Sequence, residues 1–164
     1  MPRTKGKNNS RHPGRPPLSP VTNELKLSFP SLSVNEGFAR AALGAFLAQL
    51  DPTPTELVDL KCALSEAVTN CIVHAYSDGI GTVKLSVSLR ADRTVIIEVR
   101  DLGRGIPDVA QAREPLYTTD AAGERSGMGF TVMESFSDKL SVVSKPGHGT
   151  TVRMIKRLSE RKKL

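Results

Sequence analysis

Glu66 and Asn70 are the first pair of residues whose types and spacing could carry out chemistry. They stand at the two ends of the run EAVTN, four positions apart. On a helix this spacing puts both side chains on one face. A carboxylate beside an amide oxygen suits a hard cation such as Mg²⁺, or a nucleophile that needs a base. Taken alone, such a pair is more often the polar face of an ordinary helix.

A second motif, DLGRGIP at residues 101–107, places an acidic residue and two glycines directly after an alternating apolar segment. Gly103 and Gly105 would let the backbone approach a flat ligand. Asp101 could accept a hydrogen bond from an exocyclic amine. The alternative for this motif by itself is a plain turn.

The run RSGMG at residues 125–129 precedes a predicted helix and is typical of an anion site. Backbone N–H groups at Gly127, Met128 and Gly129 would face the anion, and the helix dipole favours negative charge there. Arg125 would add a full positive charge. The run is not a P-loop, since no GxxxxGK[ST] pattern occurs. A glycine-rich turn that merely starts a helix is the alternative.

A fourth run, GHGTT at residues 147–151, leads into a predicted strand. The hydroxyl of Thr150 or of Thr151 could reach the same pocket as the other motifs. Taken alone, this run is most simply an ordinary hairpin turn.

Two helices are predicted before and around the first motif. Ser33 followed three residues later by Glu36 predicts a capping box, and Thr55 is the predicted cap of the second helix. Helical spacing in the first helix links Phe38, Ala42, Phe46 and Leu50. The second helix has a predicted buried stripe of Leu57, Leu60, Leu64, Val68, Cys71, Ile72 and Ala75.

Alternation of apolar and polar residues predicts five strands, near residues 25–29, 83–89, 95–99, 140–144 and 150–155. A long loop with one helical turn near 109–113 and a third helix at 128–137 complete the order β-α-α-β-β-loop-α-β-β. Few strand–helix–strand crossovers are available in this order. The predicted fold is therefore an α/β (α+β) two-layer sandwich, with a mixed, mainly antiparallel sheet and helices on one face.

The 164 residues have room for one domain, predicted at 23–157 between a disordered, basic, Pro-rich arm (1–22) and a basic tail (158–164). Residues 1–20 carry +5 and residues 153–164 carry +5, so residues 21–152 carry −4 of the net +6. The charge is thus weak evidence for nucleic-acid binding by the folded part. No apolar run predicts a membrane span or a signal peptide. Two cysteines and no zinc motif are consistent with a reducing cytoplasm.

Taken together and in this order, the four motifs resemble the Bergerat ATP-binding fold of the GHKL group. The runs SEAVTN, DLGRGIPD, AREPLYTTD, ERSGMGFTVMESF and HGTTV resemble more closely the anti-sigma F factor family of spore-forming bacteria. This resemblance covers about residues 24–157. It implies an ATP- and Mg²⁺-dependent serine-protein kinase that is also an anti-sigma factor.

The resemblance also implies a role for each motif residue. Glu66 would be the general base for a substrate serine, Asn70 would bind Mg²⁺ and Asp101 would bind the adenine amine. The remaining implied residues are Gly103 and Gly105 near the adenine ring, Thr150 or Thr151 beside it, Gly127, Met128 and Gly129 along the phosphates, Arg125 at the γ-phosphate, and Arg40 and Thr69 at partner contacts.

The partners that the resemblance implies are sporulation sigma factor F, an anti-anti-sigma factor as the serine substrate, and a second copy of the chain in a homodimer. No membrane contact and no direct nucleic-acid binding are expected, and the expected location is cytoplasmic. Three alternatives stay open: the same fold acting on a stress-response sigma factor, an ATP-dependent binding module without kinase activity, and a detached histidine-kinase catalytic domain.

Overall fold

The computed structural model describes residues 19–76, 79–116 and 127–160. Its strands and helices follow the predicted order. They are β1 (Val21–Pro30), α1 (Val34–Leu47) with a 3₁₀ turn (Ala48–Leu50), α2 (Pro54–Asn70) with a π-helical turn (Cys71–Ala75), β2 (Thr82–Arg90), β3 (Thr94–Arg100), α3 (Val109–Ala112), α4 (Gly129–Phe136), β4 (Lys139–Lys145) and β5 (Gly149–Arg157).

The five strands form one sheet in the order β1-β2-β3-β5-β4. All four pairings are antiparallel, so the predicted sheet is confirmed but contains no parallel pair. The alternating apolar residues of β2 and β3 are buried and share one core with residues of α1, α2 and α4. The two-layer α+β architecture is therefore confirmed, with β1 and β4 at the sheet edges.

Both predicted helix caps are wrong in detail. Ser33 has helical backbone angles and its side chain makes no capping hydrogen bond. Thr53, and not Thr55, caps α2: its Oγ1 accepts from Glu56 N, and Glu56 Oε2 accepts from Thr53 N. Pro54 then occupies the first turn, where its missing N–H costs nothing. Pro54 therefore begins α2 and does not interrupt it.

The buried face of α1 differs from the predicted one by one position. Ala39, Leu43 and Leu47 are fully buried, whereas Phe38 is 55% exposed. Helical spacing alone fits either set, because both repeat every four residues. Contact with β1 and α2 decides between them.

The ordered domain extends past both predicted boundaries. β1 begins at Val21, two residues before the predicted start. Leu158, one residue beyond the predicted end, is buried, and its N–H donates to Arg93 O at 3.1 Å. The arm at 1–18 and the tail end at 161–164 lie outside the described residues. Among the helices of the described ranges, none combines the length and apolar character needed to cross a bilayer.

Candidate functional site

A cavity of about 760 Å³ lies between α2, the segment after β3 and the start of α4. Charged, polar and apolar residues all contribute to its lining. The residues that line it are Glu66, Ala67, Thr69, Asn70, Cys71, His74, Ala75, Asp101, Arg104, Gly105, Ile106, Pro107, Ala112, Gly127, Met128, Gly129, Phe130, Thr150 and Val152. A volume of this size suits a ligand as large as a nucleotide.

The polar face of α2 forms one wall. Glu66, Thr69 and Asn70 follow each other at helical spacing and all line the cavity. α4 begins directly opposite, at Gly129, where an added Cβ would lie 3.1 Å from Glu66 Oε2 and 3.5 Å from Asn70 Oδ1. The absence of a side chain at Gly129 thus lets the carboxylate and amide meet the start of a helix, whose first N–H groups have no partner within the helix.

Asp101 forms the opposite end, at the point where β3 ends. Only 4% of the residue is exposed. Its Oδ1 accepts hydrogen bonds from Gly103 N (2.9 Å) and Thr150 N (3.2 Å), and its Oδ2 lies 3.6 Å from Cys71 Sγ, which donates to it. Burial raises the pKa of the Asp101 carboxyl, and the hydrogen bonds from the two backbone N–H groups and the thiol oppose that rise.

Gly103 and Gly105 are glycines for reasons of backbone packing. A Cβ on Gly103 would lie 2.2 Å from Ala75 O, so this residue packs against the end of the π-helical turn and does not line the cavity. Gly105 does line it, with a φ of 73° and no room for a Cβ beside Lys145 O (2.2 Å). Both glycines therefore make a close approach to the protein's own backbone, Gly103 at Ala75 and Gly105 at Lys145. Only Gly105 also lines the cavity, where a ligand could lie.

Of the two threonines, the structure brings Thr150 to the cavity. Its Oγ1 lies 2.8 Å from Ser144 Oγ, which also accepts from Ile106 N at 2.8 Å. Thr151 pairs with Arg100 on β3 and points to the opposite face of the sheet, since successive strand residues alternate. Thr151 therefore does not reach the cavity.

Gly127 and Met128 line the cavity immediately before α4, and Gly127 has a φ of 64° that favours glycine. The predicted cationic residue Arg125 lies outside the described residues, as does the rest of the predicted long loop from residue 117 to residue 126.

Arg40 lies on α1, away from the cavity lining. It forms an ion pair with Glu36 (3.5 Å), and Glu36 also accepts a hydrogen bond from the hydroxyl of Ser65 on α2. Arg40 is thus linked through one carboxylate to the residue that precedes Glu66. Thr69, the other predicted partner contact, lines the cavity itself.

Sequence reasoning missed Cys71, Arg104 and Ser144 as parts of this site. Cys71 follows Asn70 directly, and the π-helical turn that starts there carries it toward Asp101. Arg104 lies inside the DLGRG motif, so its position in that motif could have indicated that it lines the cavity. Ser144 has no local signal, because only the pairing of β4 with β5 brings it beside Thr150.

The donor set fits a Mg²⁺ ion that is shared with a ligand better than one held by protein alone. Within the described ranges no three His, Cys, Asp or Glu side chains converge as a metal cage. Asn70 and Glu66 offer hard oxygen donors side by side, and Mg²⁺ is commonly held by one or two protein oxygens together with phosphate oxygens.

Comparison with known proteins agrees with this geometry. Residues 29–156 match the family described as histidine kinase-like ATPase domain. The chain is 52% identical over 145 residues to an anti-sigma F factor from Bacillus licheniformis and 51% identical over 145 residues to that of Bacillus subtilis. Each alignment covers 88% of this chain and 99% of the relative.

Solved structures support the fold. A crystal structure of RsbU and RsbW domains from Mycobacterium tuberculosis matches with a TM-score of 0.64 and 22% identity, over 85% of this chain and 34% of that one. The SiaB–SiaC complex from Pseudomonas aeruginosa matches with a TM-score of 0.60 and 16% identity, over 82% of this chain and 89% of that one.

Proposed function

Because the chain belongs to the anti-sigma F factor family of histidine kinase-like ATPase domains, we propose that it binds and inhibits sporulation sigma factor F and inactivates an anti-anti-sigma partner by phosphorylating a serine. The observation that carries the kinase part is a single cavity with a buried carboxylate at one end and Glu66 and Asn70 at the other.

Asp101 supports the adenine end of this proposal. Oδ1 accepts from two backbone N–H groups, which restrict the rotation of the carboxylate, and Oδ2 remains available as an acceptor for a ligand in the cavity that Asp101 lines. An exocyclic amine donates to such an acceptor, whereas a keto oxygen at the same place would be repelled by it. Adenine is therefore the proposed base, with Gly105 and Thr150 beside it.

The phosphates are proposed to lie along Gly127, Met128 and Gly129. The first N–H groups of α4 are free of partners within the helix, and the helix dipole favours an anion there. Asn70 is proposed to bind Mg²⁺ together with phosphate oxygens, and the ion would neutralise charge during phosphoryl transfer. Arg125 is proposed to meet the γ-phosphate.

Glu66 is proposed as the general base that accepts the proton of the substrate serine hydroxyl. Its Oε2 faces the position of Gly129, next to the proposed phosphate path. ATP binding alone requires no such carboxylate, so its presence favours a kinase over a module that holds ATP only as a structural ligand. Arg40 and Thr69 are proposed to contact the protein partners. A homodimer and a cytoplasmic location are further parts of the proposal, carried by the family resemblance.

The test is transfer of labelled γ-phosphate from Mg-ATP to the cognate anti-anti-sigma factor. We expect Glu66→Gln to bind ATP like the wild type and to lose about 10²–10⁴-fold in transfer rate, the usual contribution of a placed base. Glu98→Gln is the matched control, since Glu98 pairs with Ser86 and Arg153 on the other face of the sheet.

Three results would count against parts of the proposal. Transfer by Glu66→Gln at the wild-type rate would remove Glu66 from the base role. A wild-type protein that binds ATP and sigma factor F but transfers no phosphate would favour an ATP-dependent clamp. Phosphate transfer only to the anti-anti-sigma factor of a stress-response switch would show that the protein regulates a stress-response sigma factor and not sigma factor F.

A further inference from the structure

Cys71 is a buried residue that the proposed mechanism leaves without a role. It begins the π-helical turn after α2, lines the cavity and is 4% exposed. Its Sγ lies 3.6 Å from Asp101 Oδ2, in a geometry that makes the thiol the donor. π-helical turns often occur at functional sites, and this one brings the thiol to the carboxylate.

The hydrogen bonds of Asp101 show what the thiol adds. Oδ1 accepts from Gly103 N and Thr150 N. Within the described ranges, the thiol of Cys71 is the partner found at Oδ2. A carboxylate oxygen can accept more than one hydrogen bond. Oδ2 can therefore accept a hydrogen bond from a ligand while the Cys71 thiol, through its own hydrogen bond, restricts the orientation of the carboxylate.

We propose that Cys71 is a positioning residue for Asp101, and that its thiol hydrogen bond strengthens the preference of the cavity for a 6-aminopurine over a 6-oxopurine nucleotide. This inference rests on the proposed function, since it assumes that the purine base lies at Asp101. Cys71 acts through the carboxylate.

The chemistry of a thiol fits this role. S–H is a weak donor, so it orients the carboxylate without removing its strength as an acceptor. Burial raises the pKa of the Cys71 thiol, and the nearby Asp101 carboxylate raises it further, so the sulfur keeps its proton and remains a donor. Cys62, by contrast, is exposed on α2, and within the described ranges it is not among the donors to this carboxylate.

The experiment measures the dissociation constants of ATP and ITP, which differ in an amine or a keto group at position 6 of the base. The proteins are the full chain and its Cys71→Ala, Cys71→Val and Cys71→Ser variants. We expect the alanine and valine variants to bind ATP about 3- to 10-fold more weakly, the range of one hydrogen bond. ITP binding should change little, so the ATP-to-ITP preference should fall by the same factor.

Three features separate positioning from simple packing. Cys71→Val fills the space without a donor, and Cys71→Ser restores a donor and should recover the ATP preference. In the alanine and valine variants the loss should appear in KM for ATP more than in kcat. A second readout is the infrared S–H stretch of Cys71 in a Cys62→Ala background. It should lie below that of an unbonded thiol and shift in Asp101→Asn.

The outcomes distinguish this inference from the proposed function. ATP preference that is equal in wild type and in Cys71→Val, or an S–H band at the unbonded position, would overturn the role of Cys71 and leave the ATP site intact. A wild-type protein that bound neither nucleotide would overturn both.

Discussion

At the scale of single residues, Asp101 couples the fold to the proposed chemistry. Its Oδ1 joins the segment after β3 to the start of β5, whereas its Oδ2 accepts only the thiol hydrogen bond of Cys71 among the bonds of the described residues. Hydrogen bonds that hold the fold together thus help to orient the oxygen that is proposed to bind the ligand. These hydrogen bonds should persist as long as the ends of β3 and β5 stay paired in the sheet.

This arrangement predicts a selective effect for Asp101→Asn. The amide oxygen can still accept from Gly103 N and Thr150 N, so the fold should persist, but the NH₂ group now replaces Oδ2 and cannot accept from adenine. We expect ATP binding to fall at least 10-fold, measured by titration calorimetry. Asp92→Asn is the control, because Asp92 accepts from Thr94 N in the β2–β3 turn outside the cavity. Unchanged ATP affinity in Asp101→Asn would remove this residue from base recognition.

Residues from all four predicted motifs line one cavity, but the sequence did not predict what each of them contacts. Thr150 and Thr151 are the same residue type, and only their position along β5 distinguishes them. Because side chains alternate along a strand, Thr150 lies on the same face as the buried residues Val152 and Met154. Extending the apolar alternation backward by one step would have selected Thr150. Gly103 could not be understood in advance, because its close neighbour is Ala75, 28 positions earlier in the chain.

At the scale of elements, α2 is the helix that positions the site, so its start and end matter most. It begins at a reciprocal capping box and ends in the turn that brings Cys71 to Asp101. The apolar stripe of the sequence predicted a helix here, and the structure confirms it. The segment Thr53-Pro54-Thr55 offers two threonines as candidate caps, and the preference of proline for the first helical position favours Thr53, as the structure has it.

Comparison of Thr53→Ala with Thr55→Ala tests this helix start. Thr53→Ala removes the side-chain acceptor for Glu56 N and should lower the free energy of unfolding by about 1 kcal/mol. Thr55 is exposed within the first turn, and its replacement should change stability by less than about 0.5 kcal/mol. Urea denaturation of the two variants measures both values. Equal losses, or a larger loss for Thr55→Ala, would refute the assigned cap.

At the scale of the whole molecule, the end of the chain is tied to the start of α2. Glu56 accepts from Ser159 N at 2.7 Å through one oxygen and from Thr53 through the other. Leu158 is buried beside this contact. The first residues of the predicted basic tail, Leu158 and Ser159, are therefore part of the fold. The sequence indicated only the positive charge of this segment and not its contacts.

This contact predicts a specific loss of stability in acid. Burial alone would raise the pKa of Glu56, but hydrogen bonds from Ser159 and Thr53 outweigh it and lower the pKa from 4.5 to about 2. A carboxyl whose pKa is lower in the folded state stabilises the fold fully above its unfolded pKa, and this stabilisation is lost as pH falls from about 4.5 toward 2. In Glu56→Gln that component is absent, so its free energy of unfolding should fall less steeply over this range than that of the wild type. Urea unfolding at several pH values gives both slopes. Identical slopes would mean that Glu56 titrates alike in the folded and unfolded chain, and that the tie to Ser159 does not hold in solution.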